Sequence, residues 1–113
     1  MAALRDGDLE ARCRGFLLRA LTSGEPSEEG LASALAMSRR TLQRKLADRG
    51  LTYRGLLERT RYDLALRYLE DPRKTVTDIT FLLGFSEQSA FTRAFKRWHG
   101  HAPTAYRERL ARA

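Results

Sequence analysis

Two stretches of this chain follow one pattern. Leu31 to Leu46 reads LASALAMSRRTLQRKL and Ile79 to Phe95 reads ITFLLGFSEQSAFTRAF: a short apolar segment, a turn opened by Ser, then a basic segment with apolar residues at helical spacing. Ile79 follows Leu31 by 48 residues and Ser86 follows Ser38 by the same 48, whereas Leu42 matches Phe91, Arg44 matches Arg93 and Leu46 matches Phe95 at 49. One copy therefore carries an extra residue in its turn. The repeated unit reads as helix, tight turn, helix, which can place its second helix in a DNA major groove. Two copies imply two grooves read by one polypeptide.

At 113 residues and 12.9 kDa the chain is one domain, or two small subdomains sharing a helix. Either half alone would bury little apolar surface, so each leans on the connecting helix. The net charge of +7 is unevenly placed: residues 1–30 carry four Arg against six Asp and Glu, net −2, leaving +9 for the rest. Arg39, Arg40, Arg44, Lys45 and Arg49 crowd the first basic segment, and Arg93, Lys96 and Arg97 mark the second. Cations clustered on two short helices are the footprint of a polyanion binder, though basic runs also serve simply to solvate a face. Cys13 is the single cysteine, which excludes an intramolecular disulfide and fits a reducing compartment. It lies in helical register with Leu9, Phe16, Leu17, Ala20 and Leu21, as a core residue would. The first residues, MAALRDGDLEARCR, are too interrupted by charge for a signal peptide, and no run is long enough to cross a bilayer. A soluble, cytoplasmic protein is expected.

The periodicity predicts an all-α fold of about seven helices and no strand. A first helix carrying Leu9 to Leu21 stops at Thr22-Ser23-Gly24-Glu25-Pro26. Ser27 caps a short second helix that buries Leu31 and Leu35, and Ser38 caps the first basic helix, which turns Leu42 and Leu46 inward and ends near Gly50. The run Tyr53, Leu56, Leu57, Thr60, Leu64, Ala65, Tyr68, Leu69 predicts a helix from Thr52 to Glu70, about 28 Å long at 1.5 Å per residue. That length approaches the roughly 34 Å between successive major grooves on one face of B-DNA. Thr75-Val76-Thr77-Asp78 has capping-box form and opens a helix burying Val76, Ile79, Leu82 and Leu83. Gly84 turns the chain, Ser86 opens the second basic helix with Phe91, Phe95 and Trp98 inward, and Pro103 starts a last helix with Tyr106 and Leu110.

With these residues in view, LASALAMSRRTLQRKL and TVTDITFLLGFSEQSAFTRAFKRWHGHAPTAYR resemble the C-terminal DNA-binding domain of the AraC/XylS family of transcription regulators over about Leu9 to Leu110. The second stretch is the more specific, since D-I-x-F-L-L-G-F-S-E-Q-S-A-F-x-R-A-F-K-R-W followed by G-x-x-P-x-x-Y-R is close to the family signature. The resemblance implies one AraC-type domain over 1–113: a helix-turn-helix lobe over 8–50, a linker helix over 52–70 and a second lobe over 75–111. It implies base reading by Arg40, Gln43 and Arg44 in the first lobe and by Gln88, Ser89, Thr92 and Arg93 in the second. Arg suits guanine O6 and N7, and Gln suits adenine N6 and N7. Ser38, Arg39, Thr41, Thr75, Lys96 and Arg97 are placed to grip phosphate, which sets register without reading sequence. The implied partners are a double-stranded DNA operator and RNA polymerase, for a bacterial-type regulator and activator whose DNA-binding domain is monomeric. Most such proteins carry a sensing or dimerising domain ahead of this part, so the chain is expected to be a fragment of a longer regulator, dimeric through that missing domain. Three positions depart from the pattern: Ala36 where Gly is common, Thr80 where Ala packs, and Ala102 where Ser would cap the last helix.

Other readings of the same residues stand beside this one. Phe81, Phe85, Phe91, Phe95 and Trp98 could stack bases, but their spacing suits core packing. Arg44 and Arg93 could brace their own lobes through Asp48 or Glu87. Arg54, Arg59, Arg61 and Arg67 read as solvated stem-packers on the long helix. His99 and His101 have no Cys or carboxylate beside them to complete a metal set and read as a turn beside DNA or solvent. No phosphate-binding, dinucleotide or metalloprotease motif is present and no catalytic triad assembles, so neither enzyme activity nor a cofactor or metal is expected. A basic helical protein-interaction module is the alternative function. RNA binding is disfavoured because a helix does not easily enter the narrow A-form major groove.

Overall fold

The computed structural model describes residues 2–24 and 26–112, with side chains from residue 9 onward. Among these residues there are seven helices and no strand: α1 (Ala2–Leu21), α2 (Glu28–Ala34), α3 (Arg39–Ala47), α4 (Tyr53–Leu69), α5 (Val76–Leu82), α6 (Gln88–His99) and α7 (Pro103–Arg112). They fall into two compact units, Met1–Thr60 and Arg61–Ala113, with the division inside α4.

In the first unit Leu9, Cys13, Leu17 and Leu21 repeat every four residues, so they form one stripe of α1, and all four are buried. They share a core with Leu31, Ala32 and Leu35 of the α2 segment, Leu42 and Leu46 of α3, and Leu56 and Leu57 of α4. Burial pushes the Cys13 thiol above its usual range, which keeps it protonated and unreactive. The predicted caps form. Ser27 Oγ accepts from Gly30 N at 2.9 Å, and Ser38 Oγ accepts from Thr41 N at 3.1 Å.

In the second unit the core is Leu64, Ala65 and Leu69 of α4, Ile79, Thr80 and Leu83 of the α5 segment, Phe91, Ala94 and Phe95 of α6, and Pro103. The Thr75–Asp78 capping box is complete, with Thr75 Oγ1 accepting from Asp78 N and Asp78 Oδ2 accepting from Thr75 N. Thr80 is fully buried without an orphaned hydroxyl, because Oγ1 donates to Val76 O at 2.9 Å. At the last helix, Ala102 contributes only its carbonyl to the cap, accepting from Tyr106 N at 3.1 Å.

The two copies share one turn. After α2, Ala36 stands at φ 56° and Met37 N donates to Ala32 O at 2.9 Å; after α5, Gly84 stands at φ 82° and Phe85 N donates to Thr80 O at 3.0 Å. Each is a left-handed residue closing a helix C-terminus by a six-residue hydrogen bond. Ala36 thus takes the strained conformation rather than avoiding it. The structure moves the extra residue, however. Ser38 caps α3, and the cap of α6 is its counterpart at offset 49, Glu87, which makes no side-chain cap bond. Ser86 lies in the turn as the inserted residue and does not open the helix.

Three further expectations are corrected. Phe81 is 58% exposed, because α5 turns Ile79 and Leu83 inward and leaves Phe81 on the opposite flank. Val76, Leu82 and Trp98 are only half-buried. Arg61 is no solvated stem: it is 8% exposed, Nε donates to Leu83 O at 2.9 Å, and its guanidinium sits 4.6 Å from the Phe85 ring centroid. A permanent charge can be buried there because it satisfies an open helix-end carbonyl and packs on a π face.

Candidate nucleic-acid interface

Amphipathicity dictates what α3 and α6 offer to the outside. Leu42 and Leu46, and likewise Phe91 and Phe95, anchor each helix to its core at i, i+4; between them Gln43, Arg44 and Lys45 on α3 and Arg93 on α6 project away, while Ala94 packs inward with the anchors. On α3, Arg39, Arg40, Gln43, Arg44 and Lys45 are exposed. On α6, Gln88, Ser89, Arg93, Lys96 and Arg97 are exposed and Thr92 is half-buried. Each unit thus gathers its predicted base-reading residues on one helix, three and four residues apart.

The phosphate-gripping candidates divide into two kinds. Ser38, Thr41 and Thr75 sit at helix N-termini and are already engaged: Ser38 Oγ donates to Thr41 Oγ1 at 2.9 Å besides accepting the Thr41 amide, and Thr75 belongs to the capping box. Arg39, Lys96 and Arg97 bring charge instead. Arg39 Nε lies 3.2 Å from Glu28 Oε1 and its Nη1 lies 3.3 Å from Glu29 Oε1. Exposed pairs of this kind add little stability, but they keep the side chain beside α2.

Arg40, Arg44 and Arg93 form no ion pair among the described residues, so neither Asp48 nor Glu87 braces Arg44 or Arg93. The glutamines are both held. Gln43 Nε2 donates toward Glu28 Oε1 and Oε2, each at 3.2 Å, and Gln88 Oε1 accepts from Thr77 Oγ1 at 3.0 Å. Glu28, Glu29 and Thr77 were not singled out as site residues from the sequence. For Glu29 and Thr77 the repeat register was the signal: they are counterparts 48 apart, Arg39 and Gln88 are counterparts 49 apart, and Glu29 meets Arg39 as Thr77 meets Gln88.

His101 is exposed in the bend after α6, as expected, but His99 differs. His99 ends α6 rather than lying in a turn, shares a 3.0 Å hydrogen bond with Tyr62 OH through Nδ1, and packs against Phe95 and Tyr106 with ring centroids 5.2 and 4.8 Å away. That engages it structurally within the second unit. No group of His, Cys, Asp and Glu able to hold a metal exists among the described residues. A groove of about 340 Å³ beside α3 is bordered by Gln43, Leu46, Leu51 and Tyr53. No helix among the described residues is long and apolar enough to cross a membrane.

Two helix-turn-helix units, each presenting a polar and cationic second helix, define a DNA-binding class of protein. The comparisons agree: residues 31–109 match the helix-turn-helix domain family, and the chain belongs to the AraC type of that family. It is 45% identical over 102 residues to the HTH-type transcriptional regulator VirS of Mycobacterium tuberculosis, an alignment covering 90% of this chain and 30% of that protein. A DNA-binding transcriptional dual regulator from Escherichia coli K-12 superposes with a TM-score of 0.86 at 26% identity, covering 93% of this chain and 94% of that one. The DNA-binding domain of AdpA, solved in complex with a target DNA, superposes with a TM-score of 0.73 at 29% identity over 88% of this chain and 89% of that one. The chain spans less than a third of the length of the first relatives it matches.

Proposed function

We propose that this chain is the sequence-specific DNA-binding element of a transcription regulator, offering α3 to one major groove and α6 to the next. The observation that carries the reading is the pair Arg44 and Arg93, which occupy the same place in the two copies, lie exposed, and engage no carboxylate among the described residues. Arg40, Gln43 and Arg44 read bases in one half-site and Gln88, Ser89, Thr92 and Arg93 in the other. Ser38, Arg39, Thr41, Thr75, Lys96 and Arg97 set register on the phosphates. Residues 8–50 and 75–111 act as the two lobes and 52–70 as their linker. As part of a regulator, the domain works in the cytoplasm as a monomeric reader, in an activator that acts on RNA polymerase, without catalysis or a cofactor. AdpA's domain, solved on target DNA, supports the DNA partner.

Selection of bound sites from random duplexes tests this directly. The helices read RRTLQR and QSAFTR, so the selected site should be asymmetric, with two unlike halves. A site palindromic within one domain's span, or no sequence preference at all, overturns the reading. Arg93→Ala should weaken binding by about 1–3 kcal/mol and relax specificity in one half only. Equal loss on every sequence would make Arg93 a phosphate contact.

A further inference from the structure

We infer that Glu28 is a positioning residue for base reading: it pins the amide of Gln43 in the one orientation that reads adenine. The inference rests on the function proposed above and concerns a residue outside its reading set.

The geometry leaves little choice in how Gln43 is turned. Its amide end lies 3.2 Å from both oxygens of Glu28, and a carboxylate can only accept, so that end must be the NH₂. This removes the usual ambiguity between amide nitrogen and oxygen. Seen from Nε2 the two oxygens lie too close together to take one proton each, so they share a single N–H. The second N–H and Oε1 remain for a ligand. A donor beside an acceptor is the complement of adenine N7 and N6, whereas guanine presents two acceptors and would set O6 against Oε1. Glu28 is itself steadied, being only 22% exposed on its side chain and ion-paired with Arg39, whose Nε lies 3.2 Å from its Oε1.

The repeat shows that the fold does not require this pair. Glu28 and Val76 are the first residues of α2 and α5, and Gln43 and Thr92 are counterparts on α3 and α6. The second unit builds the same helix, turn and helix with Val76 and Thr92, which cannot form the contact. By contrast, the neighbouring link from Glu29 to Arg39 recurs as Thr77 to Gln88. A carboxylate beside the reading face also repels phosphate, lowering affinity for every sequence alike. Removing it should therefore move affinity and specificity in opposite directions, which loss of a merely structural contact would not do.

The test uses the full chain and the duplex it selects, with all four base pairs substituted in turn across the α3 half-site. The wild type should prefer A·T at one position by about tenfold, and Gln43→Ala should remove that preference. Glu28→Ala should remove most of it, leave the other positions unchanged, and bind non-specific duplex at least as tightly as the wild type. Glu28→Gln, whose amide oxygen still accepts, should keep the preference to within about threefold. In the free protein, the Gln43 side-chain amide resonances should shift in Glu28→Ala while the backbone spectrum remains folded. Glu28→Ala with its adenine preference intact overturns the inference, and so does a wild type that prefers guanine at the Gln43-dependent position, a result that needs no variant. A wild type that selects no sequence overturns the proposed function, and this inference with it.

Discussion

Ala36 carries a conformational penalty that its counterpart does not. Both copies need a left-handed residue to close the first helix; at Gly84 this costs no Cβ clash, whereas Ala36 holds φ 56° with one. The penalty is about 1–2 kcal/mol, while glycine would return about 0.4–1 kcal/mol of conformational entropy to the unfolded chain. Strain is the larger effect, so Ala36→Gly should stabilise the fold by up to about 1.5 kcal/mol and raise Tm by several degrees. A calorimetric Tm equal to or below that of the wild type would show that the turn relaxes around alanine. Ala36 was visible in the sequence as a departure from the usual glycine, but its φ was not, because the chain could have turned otherwise. Arg61 was harder to read. A long cationic side chain among Arg54, Arg59 and Arg67 carries no mark of which one meets a helix-end carbonyl, and only the fold supplies Leu83 O and the Phe85 face.

The helices themselves were legible because their starts are chemical. Ser27, Ser38 and the Thr75–Asp78 box each place an oxygen where first-turn amides need one. The box also makes α5 sensitive to acid. The Thr75 amide, then its hydroxyl, hold the Asp78 carboxyl below its ordinary value of 3.8. Before the same helix Asp71 is held lower still, first by the Arg73 guanidinium, then by the Arg73 amide and Lys74. Groups with depressed folded values contribute stability above the unfolded value and lose it as pH falls through the folded one. Stability should therefore decline as pH falls below about 3.8, and Asp78→Asn, which still accepts from Thr75 N, should flatten that pH dependence. Helix content followed by circular dichroism through an acid titration checks this, and an unchanged slope in the variant would exclude Asp78 as a source. The second basic helix shows where legibility ended. Ser86 looks like Ser38, but an inserted residue shifts the cap to Glu87, and sequence cannot say on which side of a serine an insertion falls. Phe81 misled for a related reason: in a seven-residue helix, one apolar side chain on the wrong flank barely disturbs the period.

Residues 31–113 carry a net +9 of a chain whose total is +7, but their cations are not equivalent toward DNA. Each phosphate neutralised by a cation contributes about −0.9 to the slope of log affinity against log salt, so Arg39, Lys96 and Arg97 as phosphate contacts would together give roughly −3. Arg39, however, reaches any phosphate with Glu28 and Glu29 attached, and these cancel part of the charge it would bring. Lys96 stands exposed and forms no ion pair among the described residues. The consequence is unequal weight between two residues that sequence alone ranks together. Lys96→Ala should reduce the salt slope by about one and weaken binding to all sequences evenly, whereas Arg39→Ala should change the slope by clearly less. Affinities measured for both variants across a salt series on the selected duplex decide the matter. Equal reductions would mean that Arg39 leaves its carboxylates on the DNA, so that the first unit delivers its full charge only once a phosphate has replaced them.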